Sequence, residues 1–190
     1  MTALRERRGR VVVELDGAPW RVMPVDVVVR SGLSVGCSLD RPRLRVLRRE
    51  LRRAEALELA GRALRAHDLS ERALAERLEG RVAPAARDDA LQTLARAGAV
   101  DDRRVAQSRA AFLADRSYGD AAIRHDLRCK GLEHEEIEAA VANLEPESLR
   151  ASAIVARRGR GAATARYLAT KGFSEETVES GLGAGFATDP

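Results

Sequence analysis

The feature that most constrains the fold of this chain is an internal repeat whose matching positions are all separated by 41 residues. Residues 118–144 read YGDAAIRHDLRCKGLEHEEIEAAVANL, and residues 159–185 read GRGAATARYLATKGFSEETVESGLGAG. A segment of this length has too little apolar surface to fold alone, so its copies are expected to stack on their neighbours. The matches are Ile123 with Thr164, Leu127 with Leu168, Lys130 and Gly131 with Lys171 and Gly172, Ile137 with Val178, and Val141 with Leu182.

A third copy lies earlier in the chain. Shifting Ile123 and Leu127 back by 49 residues gives Leu74 and Leu78. Each copy is predicted to hold three short helices, and glycine after a basic residue suits a helix C-terminus because glycine adopts the left-handed backbone without steric cost. The predicted breaks are at 68–70 and 80–84, at 117–119 and 130–131, and at 159–161 and 171–172.

The chain before the repeats predicts a β-hairpin followed by a long helix. In GRVVVELDGAPWRVMP, alternating valines lead into the turn Asp16-Gly17. Residues 25–40 leave two interpretations open, a strand favoured by Val27–Val29 or a short helix capped by Asp26 and ending at Gly32. Asp40 with Pro42 in the first turn predicts the start of a helix that runs to about His67.

The predicted fold class is mainly α, an elongated tandem array of three-helix repeats preceded by a small N-terminal β-hairpin and helix region. Because only 3% of the residues are aromatic, the core must consist of Leu, Val, Ile and Ala. The predicted domains are a flexible basic tail at 1–9, the hairpin region at 10–40, the long helix with the first repeat at 41–100, the second repeat at 101–145, the third at 146–183 and a disordered tail at 184–190.

Positive charge is concentrated at the N-terminal end. Residues 1–53 hold 13 Arg against six acids, whereas residues 54–190 hold 20 basic and 23 acidic residues. A basic end of this kind predicts contact with phosphate or with an acidic protein face, and a solvated arginine-rich surface is the alternative. The predicted nucleic-acid-binding residues are Arg41, Arg45, Arg48, Arg49 and Arg52.

No residue pattern predicts catalysis, a metal or a cofactor. His67, His125 and His134 are far apart in the sequence and show no spacing to a cysteine or a second histidine that would suit a metal site. The segment GRGAAT at 159–164 lacks the Lys-Ser/Thr end of a phosphate-binding loop. We therefore expect a binding protein rather than an enzyme. Since there is no leader-like start and no apolar run of about 18 residues, we expect it in the cytoplasm, away from membranes.

Residues 94–141 resemble the RecX regulatory proteins of bacteria. The resemblance is carried by Asp101-Asp102-Arg103-Arg104-Val105-Ala106, by Gly119 before a helix, by Asp126-Leu127 and by Lys130-Gly131-Leu132. The chain departs from the family pattern in three places. Val105 replaces an aromatic residue, the first repeat has Glu79-Gly80, and the third repeat lacks the Tyr-Gly pair.

The resemblance implies a modulator of the RecA recombinase, and we expect it to be a monomer. Such proteins lie in the groove of the filament that RecA forms on single-stranded DNA, and they inhibit its ATP hydrolysis and strand exchange. Arg124 and Arg128, one helical turn apart, are expected to make the main contact, and Tyr118 either stacks on a base or packs beneath a turn. The predicted partner-binding residues are Arg103, Arg104, Tyr118, Arg124, Arg128, Lys130, Arg166 and Lys171.

Two other functions remain open at this point. One is a protein that binds DNA, including duplex DNA, without RecA through its arginine-rich helix. The other is a helical scaffold whose partner the sequence does not identify. Affinity that falls steeply with salt in the absence of RecA would favour direct DNA binding, because neutralised phosphates release counterions.

Overall fold

The computed structural model describes Met1 and residues 3–183, with the predicted tail at 184–190 outside this range. It begins with an antiparallel sheet in the order β1-β2-β3, formed by β1 (Ala3–Arg7), β2 (Arg10–Leu15) and β3 (Ala18–Pro24). The predicted hairpin is confirmed as β2 and β3, and both residues of its turn have positive φ, 51° at Asp16 and 82° at Gly17. Such values match the twist of the flanking strands.

The flexible tail predicted at 1–9 is wrong. Residues 3–7 are a strand that pairs with β2, so that Leu4 lies opposite Val13. A second tight turn, Arg8-Gly9, also has positive φ at both positions and reverses the chain. The amino group of Met1 further donates to the carbonyl of Cys37 at 2.9 Å. An Arg-Gly turn is a weaker sequence signal than Asp-Gly, which is why the sequence pattern does not reveal the strand.

The segment left open between strand and helix is helical. Helix α1 (Val25–Arg30) follows β3 directly, and Asp26 lies in its first turn rather than at its cap. Val27 and Val28 are buried with Val13 of the sheet and with Leu47. The two valines are buried by tertiary packing, and this packing overrides their intrinsic preference for strand.

Helix α2 (Arg41–Ala66) confirms the predicted long helix. The Asp40 side chain accepts a hydrogen bond from the backbone N–H of Arg43 at 2.9 Å, as an N-cap should. The remaining helices are interrupted at the predicted breaks. They are α3 (Glu71–Leu78), α4 (Pro84–Arg96), α5 (Asp102–Asp115), α6 (Asp120–Cys129), α7 (His134–Ala142), α8 (Glu147–Arg158), α9 (Ala162–Thr170) and α10 (Glu175–Leu182).

The described chain forms two compact units whose limits differ from the predicted repeat limits. Residues 1–67 and 74–99 form the first, and residues 68–73 with the chain from Val100 onward form the second. The first unit ends at Ala99, and the start of α3 belongs to the second unit, while the limits of the three repeats stay a prediction. The elongated stacking of all three repeats stays a prediction.

Within the second unit, the Lys-Gly steps that the sequence marked as helix ends also bind a neighbouring helix start. The carbonyl of Lys171 accepts from the backbone N–H of Gly119 at 2.8 Å, just before α6. The carbonyl of Lys130 likewise accepts from the Ser70 hydroxyl at 2.6 Å, just before α3. The carbonyl of a Lys-Gly step therefore accepts a hydrogen bond in two places. Each time, the donor is the residue just before the second helix of the preceding repeat.

Two side chains of α8 strengthen the contact between the second and third repeats. The carboxylate of Glu147 accepts from the backbone N–H of Asp120 at 2.7 Å and from the hydroxyl of Ser174 at 2.8 Å. Burial would raise the pKa of Glu147, but these hydrogen bonds outweigh it and the pKa is lowered. Arg150, only 9% exposed, donates to the carbonyls of Glu145 and Tyr118 at 2.9 and 2.7 Å and pairs with Asp120.

Replacing Gly119 by Ala should destabilise the second unit by about 1–3 kcal/mol, the usual cost of overfilling a packed site. A Cβ at Gly119 would overlap the backbone of Gly172 and Phe173. Gly161→Ala is the matched control, because Gly161 also precedes a helix but a Cβ there meets nothing within 4 Å. Urea unfolding followed by circular dichroism measures both variants, and equal losses of stability would show that the junction is loose.

Candidate binding surfaces

Arg124, one of the two predicted contact arginines of the second repeat, is already held within the chain. Its Nε lies 2.9 and 3.1 Å from the two carboxylate oxygens of Glu138 on α7, and its guanidinium is 3.9 Å from Asp120. This pairing lowers the pKa of Glu138. Arg128, one turn further along α6, is exposed. The two arginines therefore do not form the matched exposed pair that the sequence suggested.

A second ion pair on the same repeat has no counterpart among the sequence predictions. Arg109 on α5 donates to both oxygens of Asp126, at 2.8 Å from Nε and 2.9 Å from Nη2. The hydrogen bonds from Arg109 lower the pKa of Asp126. The guanidinium groups of Arg109 and Arg116 also lie 5.2 and 4.3 Å from the ring centre of Phe112. The acidic residue in the Asp126-Leu127 pair thus joins α5 to α6.

Tyr118 and Lys171, both predicted as partner-binding residues, contact each other. The ammonium of Lys171 is 3.8 Å from the centre of the Tyr118 ring, a cation–π contact. Tyr118 is half-buried against the core of the second repeat. The geometry therefore favours the packing interpretation of Tyr118 over stacking on a base.

The other predicted partner-binding residues fall into two groups. Arg103, Arg104, Arg128 and Arg166 are exposed, and Lys130 is half-buried beside its own helix end. His125 and Cys129, for which the sequence predicts no relation, lie one turn apart with Nε2 and Sγ separated by 3.6 Å. The prediction that no histidine is spaced suitably from a cysteine is wrong for this pair. Even so, within Met1 and residues 3–183 no group of three or more potential ligands could hold a metal ion.

Four of the five predicted nucleic-acid-binding arginines line one groove of the first unit. Arg41 is exposed but does not line it. The groove, of about 510 Å³, lies between α1, α2 and α4. Each of these four arginines lies three or four residues from another of them along α2, a spacing that places them on one side of the helix. The arginines that line the groove are Arg30, Arg45, Arg48, Arg49, Arg52 and Arg53.

A buried carboxylate fixes two of these arginines. Glu50 is only 4% exposed and accepts from Arg30 Nε at 3.0 Å and from Arg49 Nε and Nη2 at 3.1 and 3.0 Å. Burial would raise the pKa of Glu50, but the hydrogen bonds from the two guanidinium groups outweigh it and lower the pKa. Neither Arg30 nor Glu50 was predicted to take part. The sequence feature that could have identified Glu50 is a single glutamate between arginines of the helix.

Arg53 is fixed in a similar way, while three arginines are not. Arg53 pairs with Asp89 and donates to the Thr93 hydroxyl at 3.1 Å. Within the part of the chain that the structure describes, the side chains of Arg45, Arg48 and Arg52 make no ion pair or hydrogen bond, and all three residues are exposed. Like charges three and four residues apart on a helix repel by a few tenths of a kcal/mol per pair. An anionic ligand in the groove would remove this repulsion.

No helix among the described residues has the length and apolar character needed to cross a membrane.

Comparison with known proteins confirms the resemblance to RecX. Residues 101–141 match the family model of the RecX second three-helix domain. The crystal structure of a regulatory protein RecX superposes with a TM-score of 0.78 at 21% identity, covering 93% of this chain and 95% of that chain. RecX from Lactobacillus salivarius gives 0.61 at 14% identity, covering 69% and 94%. At these identities the structural likeness shows the fold. No curated protein matches the sequence.

Glu50→Gln should destabilise the first unit by about 1 kcal/mol at neutral pH, since Gln keeps the shape but accepts weaker hydrogen bonds. Because the pKa of Glu50 is lowered, its ionised form adds stability above its unfolded-state pKa, and this is lost as pH falls through the folded value. Urea unfolding at pH 7 and in acid should therefore show wild type and variant converging. Glu55→Gln, exposed on the same helix, is the control. A difference that does not change with pH would contradict this role.

Proposed function

We propose, from the confirmed resemblance to RecX, that this chain regulates RecA by binding the filament that RecA forms on single-stranded DNA, and that it inhibits ATP hydrolysis and strand exchange there. The observation that carries the proposal is the match of residues 101–141 to the RecX second three-helix domain. The proposed active form is a monomer acting in the cytoplasm without a cofactor.

The repeated contact between helix starts and Lys-Gly steps supports this proposal physically. Within the second unit, Lys130 binds Ser70 and Lys171 binds Gly119, so the same kind of contact recurs along the repeat. A protein made of repeated units suits a partner that is itself repetitive, because equivalent surfaces meet equivalent sites along it. A filament of RecA and DNA offers both acidic side chains and phosphates, and an arginine can bind either with two hydrogen bonds.

The second repeat supplies the proposed contact with the filament. Arg128 is exposed and needs no rearrangement to meet an acidic group. Arg124 would exchange Glu138 for a carboxylate or phosphate of the partner, which costs little because the ion pair lies near water. Arg103 and Arg166, also exposed, would extend the contact to either side in the sequence.

Truncating Arg124 and Arg128 together to Ala should raise the concentration needed for half-inhibition of the RecA ATPase by about 30-fold or more, as expected for a hot spot of about 2 kcal/mol. Helicity should not change, because both side chains reach solvent. The assay measures ATP hydrolysis by RecA on single-stranded DNA.

Glu138→Gln is the control for this experiment. It weakens the internal pair but keeps both arginines, so inhibition should remain at the wild-type level. Equal loss in the control and in the double variant would mean that the Arg124–Glu138 pair has only a structural role. A folded double variant that inhibits like wild type would place the contact elsewhere.

A second candidate function is direct DNA binding without RecA. The observation that favours it is the set of exposed arginines on α2 that have no partner among the described residues, Arg45, Arg48 and Arg52. Arginines on a helix face that reach backbone phosphates contribute affinity but little sequence preference.

Reversing Arg45, Arg48 and Arg52 to Glu should weaken DNA binding to a similar extent across sequences. It should also reduce the slope of log affinity against log salt by about 0.7–0.9 for each phosphate that the variant no longer neutralises. Fluorescence anisotropy at several salt concentrations measures both. Reversal of Arg62, Arg65 and Arg77, which are exposed outside the groove, changes the net charge equally and is the control. If the two variants behave alike, net charge alone accounts for binding.

A further inference from the structure

A second groove lies on the other side of Arg48 and Arg52. It has a volume of about 420 Å³ and is bounded by β2 and β3 on one side and by α2 on the other. Arg10, Arg21 and Val22 line it from the sheet, and Arg48 and Arg52 line it from the helix. Since Arg48 and Arg52 also line the groove beside α4, the two grooves are neighbours on α2, and we refer to them together as the basic path.

The arginines of this path are of two kinds. Arg30, Arg49 and Arg53 are held by Glu50 and Asp89. The others are exposed, and their side chains have no ion pair or hydrogen bond to any residue that the structure describes. They are Arg10, Arg21, Arg45, Arg48 and Arg52. Glu55 and Glu58, three and six residues after Arg52 on α2, are the other acids that line the path. Excess positive charge along a groove predicts an extended polyanion as its ligand.

Trp20 carries an exposed indole on β3, two residues from Val22, which lines the second groove. In the β2–β3 ladder, Val13 pairs with Arg21 and Glu14 with Pro19, so Trp20 has no partner and forms a β-bulge. Trp20 is 40% exposed and Val22 is 53% exposed. Two residues along a strand correspond to about 7 Å, roughly the separation of Trp20 from the groove-lining Val22. Bulges often redirect a side chain next to a functional site.

We infer that this path binds single-stranded nucleic acid, with Arg48 and Arg52 on successive phosphates and Trp20 stacked on an unpaired base. Sites for single strands combine a basic groove with aromatic side chains on which bases stack. A duplex offers no free base face to an indole, and an acidic peptide offers none either, so the exposed indole favours the single strand. The inference rests on the proposed contact with single-stranded DNA and assigns that contact to the first unit.

The chain reports on this contact directly, because Trp20 is its single tryptophan. Titration of the full protein with an oligothymidylate of about 16 nucleotides, without RecA, should quench the fluorescence of Trp20 on binding. An abasic oligonucleotide of equal length should bind through its phosphates without quenching. Tight binding of the oligothymidylate with unchanged fluorescence would overturn the inference. Equal affinity for a duplex or for polyglutamate would also overturn it.

Two pairs of variants separate stacking from charge. Trp20→Leu should weaken binding of the oligothymidylate by about five- to 150-fold, the range for loss of one stacked base, and leave binding of the abasic strand unchanged. Phe112→Leu, at an aromatic residue of similar exposure in the second unit, should change neither. Replacing Arg48 and Arg52 by Gln should weaken both strands and reduce the salt slope by about 1.4. The control, Arg62→Gln with Arg65→Gln on the same helix, should leave the binding of both strands and the salt slope unchanged.

Failure of this inference and failure of the proposed function are distinguishable. If the wild type inhibits the RecA ATPase but shows no quenching with the oligothymidylate, this inference is overturned and regulation of RecA stands. If quenching and the weaker binding of Trp20→Leu are observed but the ATPase is not inhibited, the inference holds and the proposed regulation of RecA is wrong.

Discussion

The hydrogen bond from a helix start to the carbonyl of a Lys-Gly step is the contact on which the second unit depends. At such a step, the backbone turns into the left-handed region, with φ of 76° at Gly131 and 79° at Gly172. The turn ends one helix and exposes the lysine carbonyl, which then accepts from Ser70 or from Gly119. One local conformation therefore both ends a helix and presents a carbonyl to the neighbouring repeat. This double role gives a reason for the Lys-Gly step to recur with the repeat.

The close approach of two backbone segments at this contact explains why position 119 is a glycine, although its backbone angles are ordinary. Gly119 has φ of −79°, which any residue adopts, yet the backbone of the next repeat occupies the space of a side chain. Glu147 and Arg150 then satisfy the polar groups that this approach buries, including the N–H of Asp120 and the carbonyl of Tyr118. Since buried polar groups are costly when unpaired, these side chains belong to the junction as much as the glycine does.

Electrostatics divide the arginines of this chain into those that hold the fold and those that remain available. Glu138 and Asp126 bind Arg124 and Arg109 on the second repeat, and Glu50 binds Arg30 and Arg49 on the first unit. Their carboxyl groups have lowered pKa values, so these pairs persist at neutral pH and weaken in acid. The proposals for nucleic-acid binding rest on arginines without such partners, whereas the proposed filament contact also uses Arg124, which would exchange Glu138 for a group of the partner.

The sequence by itself determined the helix breaks, the N-cap at Asp40, the hairpin turn at Asp16-Gly17 and the resemblance to RecX, because each depends on neighbouring residues or on a fixed repeat spacing. The tertiary structure decided what distant residues do. It made 25–30 a helix, because Val27 and Val28 are buried against the sheet, and it turned 3–7 into a strand. It also paired Arg124 with Glu138 and gathered Arg30, Arg48 and Arg52 along one path. Sequence spacing records local geometry, whereas the partner of a charged side chain depends on which elements pack together.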